Sequence, residues 1–369
     1  MQAPRERTYD AIVVGAGLIG LACGWRAAER GLSVLVVERA PEPGAGASGV
    51  AAGMLAPVTE ADFGEELLLR MNLAARERWR AFAARLEERA GLPTGYREAG
   101  ALFVAADRDD AEELRRLHAF QRSLGLDADW LTPGECRRLE PGLSPRVAGG
   151  IHSPQEAQAE PRAVLRALRA AFEHAGGELA CDLEVEALEL DGERVTGVRT
   201  ARGRLAAGQV VIAAGPWSPA LAPRKPGPPV RPVKGQILEL RTRGGMPEPL
   251  TRIVRSPRCY LLARGDGRVV LGATVEEQGF DTAVTADGVY RLLDAAWEVL
   301  PEVAELELVA ARAGLRPGSR DNAPVVSRDE RWSGLVWATG HYRNGVLLAP
   351  HTAEVVTALL AGERVEAAT

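Results

Sequence analysis

The sequence predicts an α/β chain of two domains (α+β in its overall mix). One is a Rossmann-like dinucleotide-binding domain assembled from separated pieces of the chain; the other is an inserted domain of antiparallel sheet and helices. Three observations predict it. Residues 9–39, YDAIVVGAGLIGLACGWRAAERGLSVLVVER, read strand, glycine-rich turn, helix, strand, acid. A second regular α/β stretch begins near residue 161 and ends in a strand running into Ala213-Ala214-Gly215. From Arg231 the pattern turns to β, with a hairpin turn at Gly265-Asp266-Gly267.

The first element is an apolar strand over residues 11–14 that breaks into Gly15-Ala16-Gly17-Leu18-Ile19-Gly20. Gly15 allows a tight turn, Gly17 lets the backbone approach a pyrophosphate, and Gly20 lets the next helix pack close on the strand. That helix runs to Glu29 and stops at Gly31. Phosphates would sit at its N-terminus, where unpaired N–H groups and the helix dipole favour negative charge. A second strand over residues 33–37 ends on Glu38, at the spacing of a carboxylate that accepts hydrogen bonds from an adenosine ribose. A GxGxxG alone is only a glycine-rich turn. The strand before it, the helix behind it and the acid after it make this one a dinucleotide site.

Residues 44–57, GAGASGVAAGMLAP, form a loop of small residues. A hinge has the same composition, but small residues also let a backbone lie flat on an aromatic ring system while offering N–H donors. Residues 65–90 read as a long amphipathic helix, 101–105 as a strand, 110–124 as a second amphipathic helix and 132–143 as turn-rich chain. His118 and His152 fall here with no catalytic set around them. A helix over 161–175 begins on proline and ends at Gly176-Gly177. Residues 178–190 and 194–200 read as strands about a turn at Asp191-Gly192, and 209–213 as a buried strand. Proline-rich 221–230 reads as a crossing linker. After the β-rich stretch come a helix over 287–299, strands over 305–312 and 334–338, and a last helix over 350–360.

This order predicts five blocks. Residues 1–60, 151–225 and 310–369 would build the dinucleotide domain, and 61–150 and 226–309 the substrate domain, with ligands in the crevice between them.

The 369 residues, 46% of them hydrophobic, allow a large core. The net charge of −5, with acids and bases interleaved, argues against nucleic acid or an anionic membrane as partner. Cys23, Cys136, Cys181 and Cys259 are scattered without a CxxC or metal spacing. That pattern fits a reducing cytoplasm and excludes zinc, iron–sulfur and disulfide frameworks. The apolar run 11–25 is too short to span a bilayer. No Ser/His/Asp set or metal cluster is legible.

Six motifs together, GAGLIG with its later Glu38, ASGVAAGML, RPVKGQ, CYLLARGDGRVVLGAT, AGLRPGSRDNAP and GHYRNGVLLAP, resemble the glycine oxidases of the D-amino-acid oxidase family of FAD enzymes. They occur in order over essentially the whole chain, and the last two are the most specific. The resemblance implies noncovalent FAD, hydride transfer from the substrate α-carbon to flavin N5, and hydrolysis of the imine to a keto acid and ammonia. Molecular oxygen would reoxidise the flavin to give hydrogen peroxide. It also implies a supply of glycine imine to thiamine thiazole formation, a homo-oligomer (a tetramer) and glycine, sarcosine or D-alanine as substrate. Two other acceptor chemistries stay open: a D-amino-acid dehydrogenase passing electrons to a quinone, and a sarcosine-type oxidase with covalent flavin. The absence of a cysteine near GHYRNG speaks against the second.

Carried over motif by motif, Leu18, Ile19, Glu38 and Arg39 would meet the diphosphate and adenosine beside Gly15, Gly17 and Gly20. Ala47, Ser48, Ala52, Gly53 and Met54 would line the flavin, and Met54 also the substrate. Val185 would contact adenine through its backbone, and Gly215 would end the second cofactor-contacting strand. His341, Tyr342, Arg343, Asn344, Gly345, Val346 and Leu347 would wrap the pyrimidine end of the ring. The substrate residues implied are Arg316, Arg343 and Tyr260. A planar guanidinium offers a carboxylate two parallel donors, and a tyrosine hydroxyl adds a third. Without the motif, an ion pair with Asp321 would account for Arg316. Val275 stands where relatives carry a pocket-lining methionine. Lys234, one of two lysines in the chain, reads either as a charge near the flavin or as a structural strand residue.

Overall fold

The computed structural model describes residues 8–363, so the outer ends of the blocks 1–60 and 310–369 lie outside the described residues. Two eight-stranded sheets organise the chain. In the first, Val325–Arg328, Leu335–Thr339, Gly203–Ile212, Thr8–Val14, Val34–Val37 and Glu178–Ala180 lie side by side in that order. Along that order every pairing is parallel except the first, and Arg194–Thr200 and Val185–Asp191 add two antiparallel strands through Gly203–Ile212. Parallel strands are covered on both faces, which is why Val34–Val37 and Leu335–Thr339 are apolar and buried along their whole length.

The second sheet runs Glu307–Gly318, Arg231–Arg241, Arg268–Gly272, Tyr260–Ala263, Ile253–Arg255, Ala101–Ala105, Gly149–Ser153, Asp129–Leu131. All its pairings are antiparallel except that of Ile253–Arg255 with Ala101–Ala105. Ala286–Val299 packs on it through Leu292, Ala295, Ala296 and Val299.

Several sequence expectations shift. Residues 178–190 are two strands, because Asp182 at φ +52 turns the chain between Glu178–Ala180 and Val185–Asp191. Pro133–Leu139 is a helix inside the turn-rich stretch, started by a capping box in which Thr132 and Glu135 bond each other's backbone N–H. The last helix begins at Gly345 and carries Pro350 within it. The expected strand 305–312 continues to Gly318, because its pairing along Arg231–Arg241 does not stop at Arg312. The boundary expected at residue 310 therefore falls inside a strand of the second sheet. The helix Glu66–Ala90, expected with the substrate domain, buries Leu68, Trp79, Phe82 and Leu86 in one core with Leu18–Glu29, Pro161–His174 and the last helix. Its Trp79 Nε1–H donates to the Leu347 carbonyl at 2.8 Å, and Trp79 packs edge-on against Phe82.

Candidate active site

The glycine-rich turn faces a cavity of about 340 Å³. Gly15, at φ +106, runs so close to the neighbouring strand end that a Cβ there would lie 2.6 Å from the Ala213 carbonyl oxygen. Gly17 opens to the cavity, and the nearest atom to a Cβ there is Ser48 Oγ at 3.1 Å. Ser48 in turn accepts the Leu18 N–H at 3.0 Å, tying the small-residue loop to the helix start. Glu38 accepts the Ala16 N–H at 2.8 Å and the Ala40 N–H at 2.9 Å, which fixes its carboxylate at the strand end. Arg39 stacks its guanidinium 3.9 Å from the centre of the Trp217 ring, and both line the cavity. Ile19, Ala47, Val185, Gly215 and His341 complete the part of its wall expected from sequence.

Ile19, Ala47 and Ser48 also line a second cavity of about 130 Å³, so the two spaces share a wall. Here the structure brings together Leu18, Ala52, Gly53, Met54, Tyr260, Arg316, Tyr342, Arg343, Gly345 and Val346. Strand alternation does much of this. Gly314 and Arg316 share one face of their strand, and Gly235 and Ile237 the matching face of the next, with Gly235 opposite Gly314. Arg316 lies across Gly235 and donates through Nη1 to the Thr274 carbonyl at 3.0 Å. No Asp321 pair forms. Nη2 of Arg316, the Tyr260 hydroxyl and the Arg343 guanidinium have no hydrogen-bond acceptor among the described residues, so donors from three elements remain available at one small cavity. Burial raises the Tyr260 hydroxyl to about 12, which keeps it a protonated donor. Tyr342 sits at φ +46, a left-handed conformation that turns the segment so that Tyr342 and Arg343 both reach the wall.

Three expected residues are not at either wall. Gly20 packs its own turn, where a Cβ would meet the Gly15 carbonyl oxygen at 1.9 Å. Leu347 is buried in the helix core, and Asn344 is buried at the helix start. Val275 is 60% exposed and lines neither cavity. Lys234 alternates with Gly235 and so lies on the opposite face of the strand, where it bonds Asp281 at 2.5 Å. It is a structural ion pair. His341 Nε2 meets Thr352 Oγ1 at 2.8 Å, and burial lowers the imidazole to about 3, so it is neutral at ordinary pH.

Two features of the site are missing from the sequence reading: Trp217 as a wall, and a buried charge group beside the smaller cavity. Glu60 lines that cavity, and its carboxylate is 3.9 Å from Arg255. Arg255 covers the Phe103 ring and donates to the Thr59 carbonyl. Glu156 accepts the Val58 N–H at 2.6 Å, the Thr59 N–H at 2.8 Å and the Thr59 hydroxyl at 2.7 Å. Burial raises Glu156 to about 7, against the pull of those donors and of Arg255. A strand-end Ala-Ala-Gly followed by tryptophan was the available signal for Trp217. The acid network joins positions about 100 and 200 residues apart and had none.

Among the described residues no group of His, Cys, Asp and Glu could hold a metal ion, and no helix is long and apolar enough to cross a membrane. Residues 10–359 match the family model described as FAD dependent oxidoreductase, DAO. The chain is 35% identical over 364 residues to the glycine oxidase of Geobacillus kaustophilus (strain HTA426), covering 98% of this chain and 94% of that one. It is 34% identical over 351 residues to the bifunctional protein ThiO/ThiG of Trichormus variabilis, covering 95% of this chain but 52% of that longer one. The crystal structure of glycine oxidase from Geobacillus kaustophilus superposes with a TM-score of 0.91 at 34% identity, covering 97% and 96% of the two chains.

Proposed function

Because the chain belongs to the DAO family of FAD-dependent oxidoreductases, we propose that it is a glycine oxidase, acting on glycine and on small amines or D-amino acids such as sarcosine and D-alanine. The observation that carries the substrate class is the convergence of Arg316, Arg343 and Tyr260, all with free donors, on one cavity of about 130 Å³. With the flavin ring against the 47–54 and 342–346 walls of that cavity, the space left beside these donors would take a carboxylate and little else beyond the atoms next to it.

The residues present fit FAD. The turn at Gly15 and Gly17 leaves a backbone cradle that a Cβ would fill or crowd, and Glu38 and the Arg39–Trp217 stack stand where an adenosine would lie. Gly15, Gly17, Glu38, Arg39, Val185 and Gly215 would hold the nucleotide end, and Ala47, Ser48, Ala52, Gly53, Met54 and the 341–346 turn the ring. When bound noncovalently, FAD supplies the two-electron acceptor for the α-carbon hydrogen. Arg316 and Tyr260 hold the carboxylate, Arg343 adds positive charge at the mouth, and Met54 limits the side-chain space. Clamping one end of a two-carbon acid fixes the direction of its α-hydrogens, and much of the rate would come from that orientation. The amine must be neutral to react, so activity rises with pH through the pKa of the bound amine.

The first sheet would serve as FAD-binding domain and the second as substrate domain. Glycine, oxygen and water would give glyoxylate, ammonia and hydrogen peroxide, and the imine would serve thiamine thiazole formation in the cytoplasm, with a homotetramer as the assembly. The test is anaerobic flavin bleaching by glycine, sarcosine, D-alanine, D-proline and L-amino acids, followed by oxygen uptake during turnover. Rapid bleaching by glycine with stoichiometric oxygen uptake is expected. Bleaching by none of the panel removes the assignment, and bleaching without oxygen uptake makes the protein a dehydrogenase.

A further inference from the structure

We propose that Glu60 is a substrate-binding residue that receives the amino group, so that the small cavity recognises a zwitterion and not merely a carboxylate. The inference rests on the amino-acid assignment above and deepens it. Among the described residues lining that cavity, Glu60 is the one acid, standing with Arg316, Arg343 and the Tyr260 and Tyr342 hydroxyls around a space lined otherwise by small and apolar groups. Its side chain is 11% exposed, yet its carboxylate accepts no hydrogen bond from any described residue. Nearly buried carboxylates are ordinarily bonded at both oxygens, and an unbonded one facing a cavity calls for a donor from outside the protein. An ammonium brings three donors and the opposite charge.

The surrounding charges leave Glu60 in place without satisfying it. Arg255 approaches only to 3.9 Å and is already engaged by the Thr59 carbonyl and the Phe103 ring. Tyr260, Arg316 and Arg343 line the same cavity from other elements and make no hydrogen bond to Glu60, and Glu156 clamps Val58 and Thr59 just before it. The Glu60 N–H donates to the Ala56 carbonyl at 3.1 Å, which closes the turn that presents the side chain. A carboxylate beside the bound amine stabilises its protonated form, so Glu60 trades tighter capture against a higher pH for the onset of turnover.

The test uses flavin-loaded wild type, Glu60→Gln and Glu60→Asp. Glycine kinetics are measured across pH, and glycolate, which keeps the carboxylate and lacks the ammonium, is titrated against the flavin spectrum. Expected for Glu60→Gln are a KM for glycine raised at least about tenfold, an acid limb of kcat moved to lower pH, and glycolate affinity unchanged within about twofold or improved. Glu60→Asp should keep the acid limb near its wild-type position, because the charge remains. If glycine and glycolate weaken together with no movement of the limb, Glu60 merely supports Arg255, and the inference falls. It falls equally if neither ligand responds. Should Glu60→Gln lose its flavin, the Asp variant decides through the same glycine-to-glycolate comparison. Failure of the amino-acid assignment itself would appear separately, as wild type that no amino acid bleaches.

Discussion

Gly235→Ala tests Arg316 as the proposed carboxylate clamp without replacing it. A Cβ at this position would lie 2.4 Å from both Nη1 and Nη2 of Arg316, and ordinary contact begins near 3.4 Å, so the guanidinium must retreat by about 1 Å. The displaced atoms are the far end of a flexible side chain and Gly235 has no left-handed φ, so the sheet should stand and flavin content should stay full. What yields is the Nη1 bond to the Thr274 carbonyl and the alignment of the fork. A hydrogen bond to a charged group is worth about 1.5–3 kcal/mol, which predicts a loss of carboxylate affinity between about tenfold and a hundredfold. Arg316→Ala sets the lower bound, leaving a bound carboxylate without its partner at a cost of about 2–5 kcal/mol. Arg316→Lys, which keeps the charge and loses the planar fork, should fall between. Glycolate is titrated into each protein and followed by the flavin spectrum. If Gly235→Ala binds glycolate as wild type does while holding a full complement of flavin, Arg316 is not the carboxylate clamp.

Tyr260→Phe should weaken glycolate by about 0.5–1.5 kcal/mol with flavin content unchanged, and an unaltered affinity would remove the hydroxyl from the binding set. Gly17→Leu should give folded, colourless protein, because the side chain enters the larger cavity beside Ser48; a normal flavin spectrum would count against a pyrophosphate there. Glu156→Gln bears on stability. Burial raises the folded pKa from 4.5 to about 7, so the stability linked to the protonated acid is complete below about pH 4.5 and lost as pH rises towards 7. A shift of that size corresponds to roughly 3 kcal/mol. Thermal melts at pH 5 and pH 8 should therefore show the variant gaining on wild type at the higher pH, and a pH-independent difference would refute the buried-acid account.

The fingerprint over residues 9–39 was legible because every link is local: strand, turn, helix and acid follow one another, and each has its own sequence signal. The substrate side was legible only as motifs. Nothing in RPVKGQ or AGLRPG says that Gly235 will face Gly314, since the pairing register joins positions nearly 80 residues apart. Once the register is known, alternation alone sends Lys234 away from the cavity and Arg316 onto Gly235. A helix start turns only some of its residues towards a cavity: Tyr342, Arg343, Gly345 and Val346 reach the wall, Leu347 packs in the helix core, and Asn344 is buried without lining either cavity. The helix Glu66–Ala90 reads as amphipathic, but its apolar positions divide between two cores, Leu68, Trp79, Phe82 and Leu86 with the helices on the first sheet and Leu69 with Phe103 and Leu114 on the second. Its apolar face shows that it covers something, but not which sheet.

The paired glycines also explain why the small cavity can be both narrow and strongly charged. Side chains at Gly235 and Gly314 would fill the floor, and the one at Gly235 would lift Arg316 off the sheet. Their absence lets the guanidinium lie over Gly235 with Nη1 anchored on the Thr274 carbonyl and Nη2 unbonded among the described residues. An arginine held this way has already lost most of its rotamer freedom before a ligand arrives, so less of the binding energy is spent on ordering it. The same floor leaves little height above the clamp. If Arg316 is the clamp, selectivity for an amino acid with little or no side chain would follow from the backbone of two adjacent strands, and enlarging the substrate range would require changes at Met54, not at Arg316 or Tyr260.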